Sequence, residues 1–190
     1  MEIGLYFGSF NPIHVGHLII ASYARQTTSL QQVWLVVSPH NPLKHASGLL
    51  NEYHRLHFVR LAIEDDLHLK ATDVEFHLPK PSYTVHTLAY LKAKYPHHTF
   101  SIIMGSDSFT NLPKWKNYRH ILDHHKIYIF MRPGFDVTDD LDGRIEVIEA
   151  PLLQISSTEI RSMIKKGLSV RYLVPDKAIK EIEDNRYYRD

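Results

Sequence analysis

The chain has 190 residues, 44% of them hydrophobic, enough to bury one core and close to the size of a single domain. Its 22 basic and 21 acidic side chains nearly cancel to a formal +1, which leaves no global field to hold nucleic acid or an anionic membrane surface. The absence of cysteine excludes disulfides, thiolate metal sites and a cysteine nucleophile, and fits a reducing compartment.

The amino-terminal apolar run carries Glu2 and breaks at Gly8, too short and wrongly flanked for a signal peptide. No later stretch approaches the length of about 18 uninterrupted apolar residues that a membrane helix needs. The expectation is a soluble cytoplasmic protein with no membrane or nucleic-acid partner; a homo-oligomer stays open. Short runs rich in β-branched and aromatic residues predict strands over 3–7, 33–37, 100–104, 127–131 and 145–148, whose nearly continuous apolar character suits central strands covered on both faces. Between them, 17–25, 52–63, 84–95 and 156–166 carry apolar residues at helical spacing, such as Leu56, Val59 and Ile63. A last helix over 175–184 opens with a proline suited to a first turn, and 39–48, with two prolines and several polar residues, reads as a loop. The alternation predicts an α/β fold: a Rossmann-like, doubly wound, mainly parallel sheet with helices on both faces, in one domain over 1–190. Ligands of such folds sit beyond the carboxyl ends of the strands.

The first strand runs through Gly8-Ser9-Phe10-Asn11-Pro12-Ile13-His14-Val15-Gly16-His17 into the first helix. That arrangement points backbone N–H groups at an anion, so a phosphate site is expected there. It is not a Walker loop, since no glycine-lysine pair follows Gly8 at the right distance, and Gly8 and Gly16 stand too far apart for the dinucleotide fingerprint. His14 and His17, three apart at a helix start, share a face and can reach one ligand. An imidazole is readily protonated beside a polyphosphate and can stabilise charge on phosphoryl oxygens. With 14 histidines in the chain, a chance pair in a solvated turn is the plainer alternative.

The segment resembles the GxFDPxHxGH signature of the HxGH nucleotidyltransferase superfamily, which includes pyridine nucleotide, pantetheine-phosphate and glycerol-phosphate nucleotide transferases and is related in fold to class I aminoacyl-tRNA synthetases. Asn11 stands where many members carry aspartate; asparagine can still brace the turn by hydrogen bonding to backbone. Late in the chain, Ile155-Ser156-Ser157-Thr158-Glu159-Ile160-Arg161 offers a helix cap, an acidic first turn and an arginine just inside the helix. By itself this is a plain helix start; it also resembles the ISSTxxR motif that partners the HxGH loop, in which Arg161 would hold the β- or γ-phosphate of ATP.

Three central segments resemble bacterial nicotinate mononucleotide adenylyltransferases: Pro81-Ser82-Tyr83-Thr84 with Thr87-Leu88 resembles PSYTxxTL, Gly105-Ser106-Asp107-Ser108 with Trp115 resembles GxDS…W, and Arg132-Pro133-Gly134 matches their RPG turn. The resemblance runs from Ile3 to about Arg161. It implies transfer of AMP from ATP to nicotinate mononucleotide, giving nicotinate adenine dinucleotide and pyrophosphate in NAD biosynthesis. It places His14, His17 and Arg161 at the chemistry, and Gly8, Ser9, Phe10, His17, Gly105, Asp107, Ile155, Ser156, Ser157, Thr158 and Arg161 around ATP. Gly105 would let a nucleotide approach and Asp107 would accept from ribose hydroxyls.

For the acceptor, the resemblance points to Asn41, Lys44, Tyr83, Thr84, Trp115 and Arg132: a flat indole for the pyridine ring, backbone donors near Thr84 and Lys116 for its carboxylate, cations for its phosphate. The plainer alternatives are core packing for Trp115, solvated charge for Lys44 and Arg132, and a helix cap for residues 82–84. The expected cofactor is Mg²⁺ held by phosphates and water, with no protein metal cage; His97-His98 and His124-His125 are assigned to surface or packing, since adjacent side chains point apart. Rival readings are the amidated acceptor, a pantetheine-phosphate transferase, a nucleic-acid-binding module, and a nucleotide-binding regulator that keeps the pocket without chemistry.

Overall fold

A computed structural model describes residues 1–39, 48–137, 141–151 and 154–189. Six strands form one sheet: β1 (Glu2–Gly8), β2 (Gln32–Val37), β3 (Leu69–Thr72), β4 (Thr99–Gly105), β5 (Ile127–Phe130) and β6 (Ile145–Ile148). Their order is β3-β2-β1-β4-β5-β6 and every neighbouring pair is parallel, so the expected mainly parallel sheet is parallel throughout. The crossovers carry α1 (Val15–Thr27), α2 (Glu52–Ile63), α3 (Thr84–Lys94), α4 (Ser106–Thr110) and α5 (Tyr118–His124); α6 (Ser157–Lys165) and α7 (Asp176–Asp184) follow the last strand.

Alternation along the strands sorts the side chains. Ile3, Leu5, Trp34, Val36, Ile102, Met104, Ile127 and Ile129 face one way, under Leu88 and Leu91 of α3 and Ile121 and Leu122 of α5. Tyr6, Val33, Ile103, Tyr128 and Phe130 face the other way, under Ile20, Ala21 and Ala24 of α1. On that second face Leu35 and Val37 meet α2, α6 and α7 through Leu56, Val59, Ile160, Ala178 and Ile182. Burial on both faces explains why the five anticipated strands read as unbroken apolar runs.

The sixth, β3, was not anticipated: LKAT has no fully buried residue and pairs only with β2, so neither composition nor alternation marks it. The seven-residue α5, with Ile121 and Leu122 as its buried residues, is likewise too short for a periodic signal. No helix among the described residues is long and apolar enough to cross a membrane.

The order in which strands are added reverses between β1 and β4, which remain parallel. Their crossovers therefore leave on opposite faces and open a crevice at the carboxyl ends, beyond Gly8 and Gly105.

Candidate active site

A cavity of about 660 Å³ fills that crevice, within the size range of small-molecule sites. Gly8, Ser9, Phe10, His14, His17, Gly105, Asp107, Ile155, Ser156, Ser157, Thr158 and Arg161 all line it, as do Tyr83, Thr84, Trp115 and Arg132. Sequence positions about 150 apart thus share one wall. Asn41 and Lys44 lie outside the described residues.

The two histidines sit together at the start of α1, with rings stacked at a centroid distance of 3.6 Å. The His14 N–H donates to His17 Nδ1 at 3.3 Å, which makes Nδ1 an acceptor and puts the neutral-ring proton of His17 on Nε2. Phe10, buried and in the left-handed region at φ 44°, packs edge-on against His17 at 5.0 Å. A Cβ on Gly16 would lie 3.1 Å from His14 Nδ1, so the glycine between the histidines makes room for the first ring.

His14 is 4% exposed and its Nδ1 has no hydrogen-bond partner. Burial, and secondarily the Arg132 charge, lower its pKa from 6.5 to about 4. In the free protein at neutral pH it is uncharged, because desolvation and a nearby cation both oppose the charge.

The amino terminus of α6 docks on the same loop. Ser156 caps it by accepting from the Glu159 N–H at 3.1 Å. Ser157 Oγ donates to the Pro12 carbonyl at 2.9 Å, and Arg161 donates to the Asn11 carbonyl at 2.8 Å and to Thr158 Oγ1 at 3.3 Å. Two helix amino termini, each with N–H groups that lack helical acceptors, therefore face one cavity beside an arginine.

At the end of β4, the space beside Gly105 is taken by protein. A Cβ there would come within 2.4 Å of Asp107 Oδ1, 3.1 Å of the Phe130 ring and 3.2 Å of Arg132 Cγ. The absent side chain leaves room for the Asp107 carboxylate, and Gly105 itself lines the cavity. Arg132 Nε lies 3.9 Å from Asp107 Oδ1 and its backbone N–H donates to the buried Ser106 Oγ at 2.9 Å. Arg132, assigned from sequence to the acceptor group, lines the cavity beside Asp107 and acts electrostatically on His14, because the turn after β5 carries it along the β4 edge.

Across the cavity, Thr84 begins α3, and the N–H groups of Thr84 and Val85 precede its first backbone bonds, His86 and Thr87 to the Tyr83 carbonyl. Trp115 packs partly against the core and also lines the cavity. The ammonium of Lys116 lies 4.8 Å from the Tyr83 ring centroid.

Two charged residues of this region were not singled out from sequence. Arg55 of α2 is 0% exposed, and its guanidinium donates to four carbonyls, Leu50 at 2.7 Å, Ser9 at 2.5 Å, Ser38 at 2.9 Å and Pro39 at 3.2 Å. It joins the first loop to the end of β2 and the approach to α2. An arginine on the apolar stripe with Val59 was the available signal. Glu75, 2% exposed, accepts from Ser82 Oγ and Thr87 Oγ1 at 2.9 Å each and holds the segment before α3. Burial raises its pKa above the usual carboxylate value.

The profile of the cytidylyltransferase-like family matches residues 5–163. The chain is 50% identical to a probable nicotinate-nucleotide adenylyltransferase of Flavobacterium psychrophilum, and 49% identical to the protein of the same name from Flavobacterium johnsoniae, with all of both chains covered in each case. The Plasmodium falciparum nicotinic acid mononucleotide adenylyltransferase complexed with NaAD shares the fold with a TM-score of 0.84, over 98% of this chain and 97% of that one, at 21% identity.

Proposed function

We infer, since the chain belongs to the cytidylyltransferase-like family, that it transfers AMP from ATP to nicotinate mononucleotide, forming nicotinate adenine dinucleotide and pyrophosphate. The observation that carries this reading is the convergence of His14, His17 and Arg161, at two helix amino termini, on a cavity whose far wall holds Thr84 and Trp115. Full-length relatives at 50% and 49% identity bearing the nicotinate-nucleotide adenylyltransferase name support it.

The acceptor's 5′-phosphate oxygen attacks the α-phosphorus of ATP as the bond to the bridging oxygen of pyrophosphate breaks. That phosphate is already anionic at neutral pH, so no covalent enzyme intermediate or dedicated base is required. The protein supplies alignment and charge neutralisation. His17 and His14 address the α- and β-phosphates. Arg161 is held by its bonds to the Asn11 carbonyl and Thr158 Oγ1, and the N–H groups outside these two bonds serve the leaving pyrophosphate.

Arg132 adds positive potential to the same side, and Asp107 is within reach of a ribose. The α3 amino terminus receives the pyridine carboxylate while Trp115 faces the ring. Among the described residues no three His, Asp or Glu side chains converge as a cage; the imidazole, guanidinium and N–H donors fit phosphate oxygens, and Mg²⁺ carried by the triphosphate and water supplies further neutralisation.

The test is pyrophosphate release from ATP and Mg²⁺ with nicotinate mononucleotide, nicotinamide mononucleotide or 4′-phosphopantetheine, beside His17→Ala. The expected result is release with the nicotinate acceptor, and turnover lower by about two to three orders of magnitude in a folded variant. Release with the amide alone overturns the acceptor, and near wild-type turnover of the variant overturns the mechanism.

A further inference from the structure

The last residues of the chain have no part in the reading above, yet they reach its first loop. After α7 ends at Asp184, Arg186 and Tyr188 adopt positive φ, 55° and 64°, a conformation that costs a non-glycine residue about 1 kcal/mol or more. The turn they make carries Tyr187 onto α2, where its ring lies 5.9 Å from Phe58 and its hydroxyl 3.2 Å from His54 Nδ1. It also carries Tyr188 beneath the loop between β1 and α1, where its hydroxyl donates to Asn11 Oδ1 at 2.8 Å.

The direction of that bond follows from the rest of the network. The Leu50 N–H, which can only donate, lies 3.2 Å from Asn11 Oδ1, and the Gly48 carbonyl, which can only accept, lies 2.8 Å from Asn11 Nδ2. The amide orientation is therefore determined, and Tyr188 must be the donor. Burial also holds its phenol far above the ordinary range, so the proton stays in place at working pH.

Asn11 is 4% exposed. Its side chain ties Tyr188 to Gly48 and Leu50 while its backbone carbonyl receives Arg161 at 2.8 Å. An aspartate at this position would lack the donor for Gly48, so the asparagine suits this set of partners.

We propose that Tyr188 is a positioning residue of the phosphate site: its hydroxyl holds Asn11, and through the Asn11 carbonyl it sets the guanidinium of Arg161. This rests on the reading of Arg161 as a triphosphate ligand, but not on the identity of the acceptor.

The test uses the full chain with Tyr188→Phe, which keeps the ring and removes the donor, with Arg161→Ala, and with the double variant. ATP affinity is measured by calorimetry without acceptor and turnover with nicotinate mononucleotide. Tyr188→Phe is expected to weaken ATP binding about threefold and lower turnover about fivefold, the scale of one buried hydrogen bond. In the Arg161→Ala background the same substitution should change either by less than twofold, since groups acting through one another are non-additive.

Equal effects in both backgrounds, as a merely structural role would give, overturn the proposal, as does an unchanged ATP affinity in Tyr188→Phe. If wild type binds ATP but makes no dinucleotide, the acceptor reading fails, and the comparison of ATP affinities still decides the role of Tyr188.

Discussion

The buried state of His14 yields a prediction about stability against pH that can be worked through. Its folded pKa is about 4, against about 6.5 for an exposed imidazole in the unfolded chain. Above pH 6.5 both states are neutral at this residue and its contribution is constant. Between about 6.5 and 4 the unfolded chain takes up a proton that the folded protein refuses, so stability falls as pH falls, by about 1.4 kcal/mol per unit and about 3 kcal/mol in all. The protein's other histidines and carboxylates titrate too, so the measurement is a difference.

Urea unfolding of wild type and His14→Gln at half-unit steps from pH 8 to 4 gives that difference, with titrations common to both proteins cancelling. Wild type should lose its advantage, or deepen its deficit, by about 3 kcal/mol on acidification, with the midpoint of the change near pH 5. A pH-independent difference would refute the assignment of His14 as a neutral buried imidazole. Triphosphate beside the ring should reverse the sign of its environment, so ATP binding near pH 6 should be accompanied by proton uptake in wild type and less in the variant.

Other perturbations read the framework of the site. Gly16→Ala should lower turnover about tenfold with little change in melting temperature, because the new methyl group must displace a His14 ring already stacked at 3.6 Å on His17; unchanged turnover would show that the ring yields freely. Arg55→Met should destabilise by about 3 kcal/mol or more in urea unfolding, since it strips the donors from carbonyls of Ser9, Ser38, Pro39 and Leu50. For Glu75 the folded pKa is raised, so its contribution is greatest below the unfolded carboxyl value of about 4.3 and is lost as pH rises through the folded one. The stability of wild type relative to Glu75→Gln should therefore decline as pH rises above about 4, and a rising difference would contradict the burial argument.

Much of the architecture was legible because it rests on local pattern. Strands buried on both faces read as apolar runs, and the five anticipated strands and five anticipated helices lie within about two residues of the observed elements. β3 escaped because an edge strand with one neighbour needs little apolar content, and α5 because two buried residues make no period. The first-loop and late-helix motifs were visible as short strings whose residues act at their own helix starts, where caps and unpaired N–H groups are local properties.

What the sequence determined by itself was therefore most of the elements, the two helix starts that line the cavity and the residue types gathered there. Tertiary structure decided the remainder, since burial and charge environment depend on chain segments far apart in sequence. Arg132 stands beside Asp107 because β5 pairs with β4. His14 is neutral because the fold encloses it beside Arg132, and Arg55 and Glu75 became visible only as buried charges with several partners each. The reach of Tyr188 to Asn11 across 177 positions has no periodicity or motif to announce it, because a single hydrogen bond between chain ends exists only once the whole sheet and its covering helices have folded.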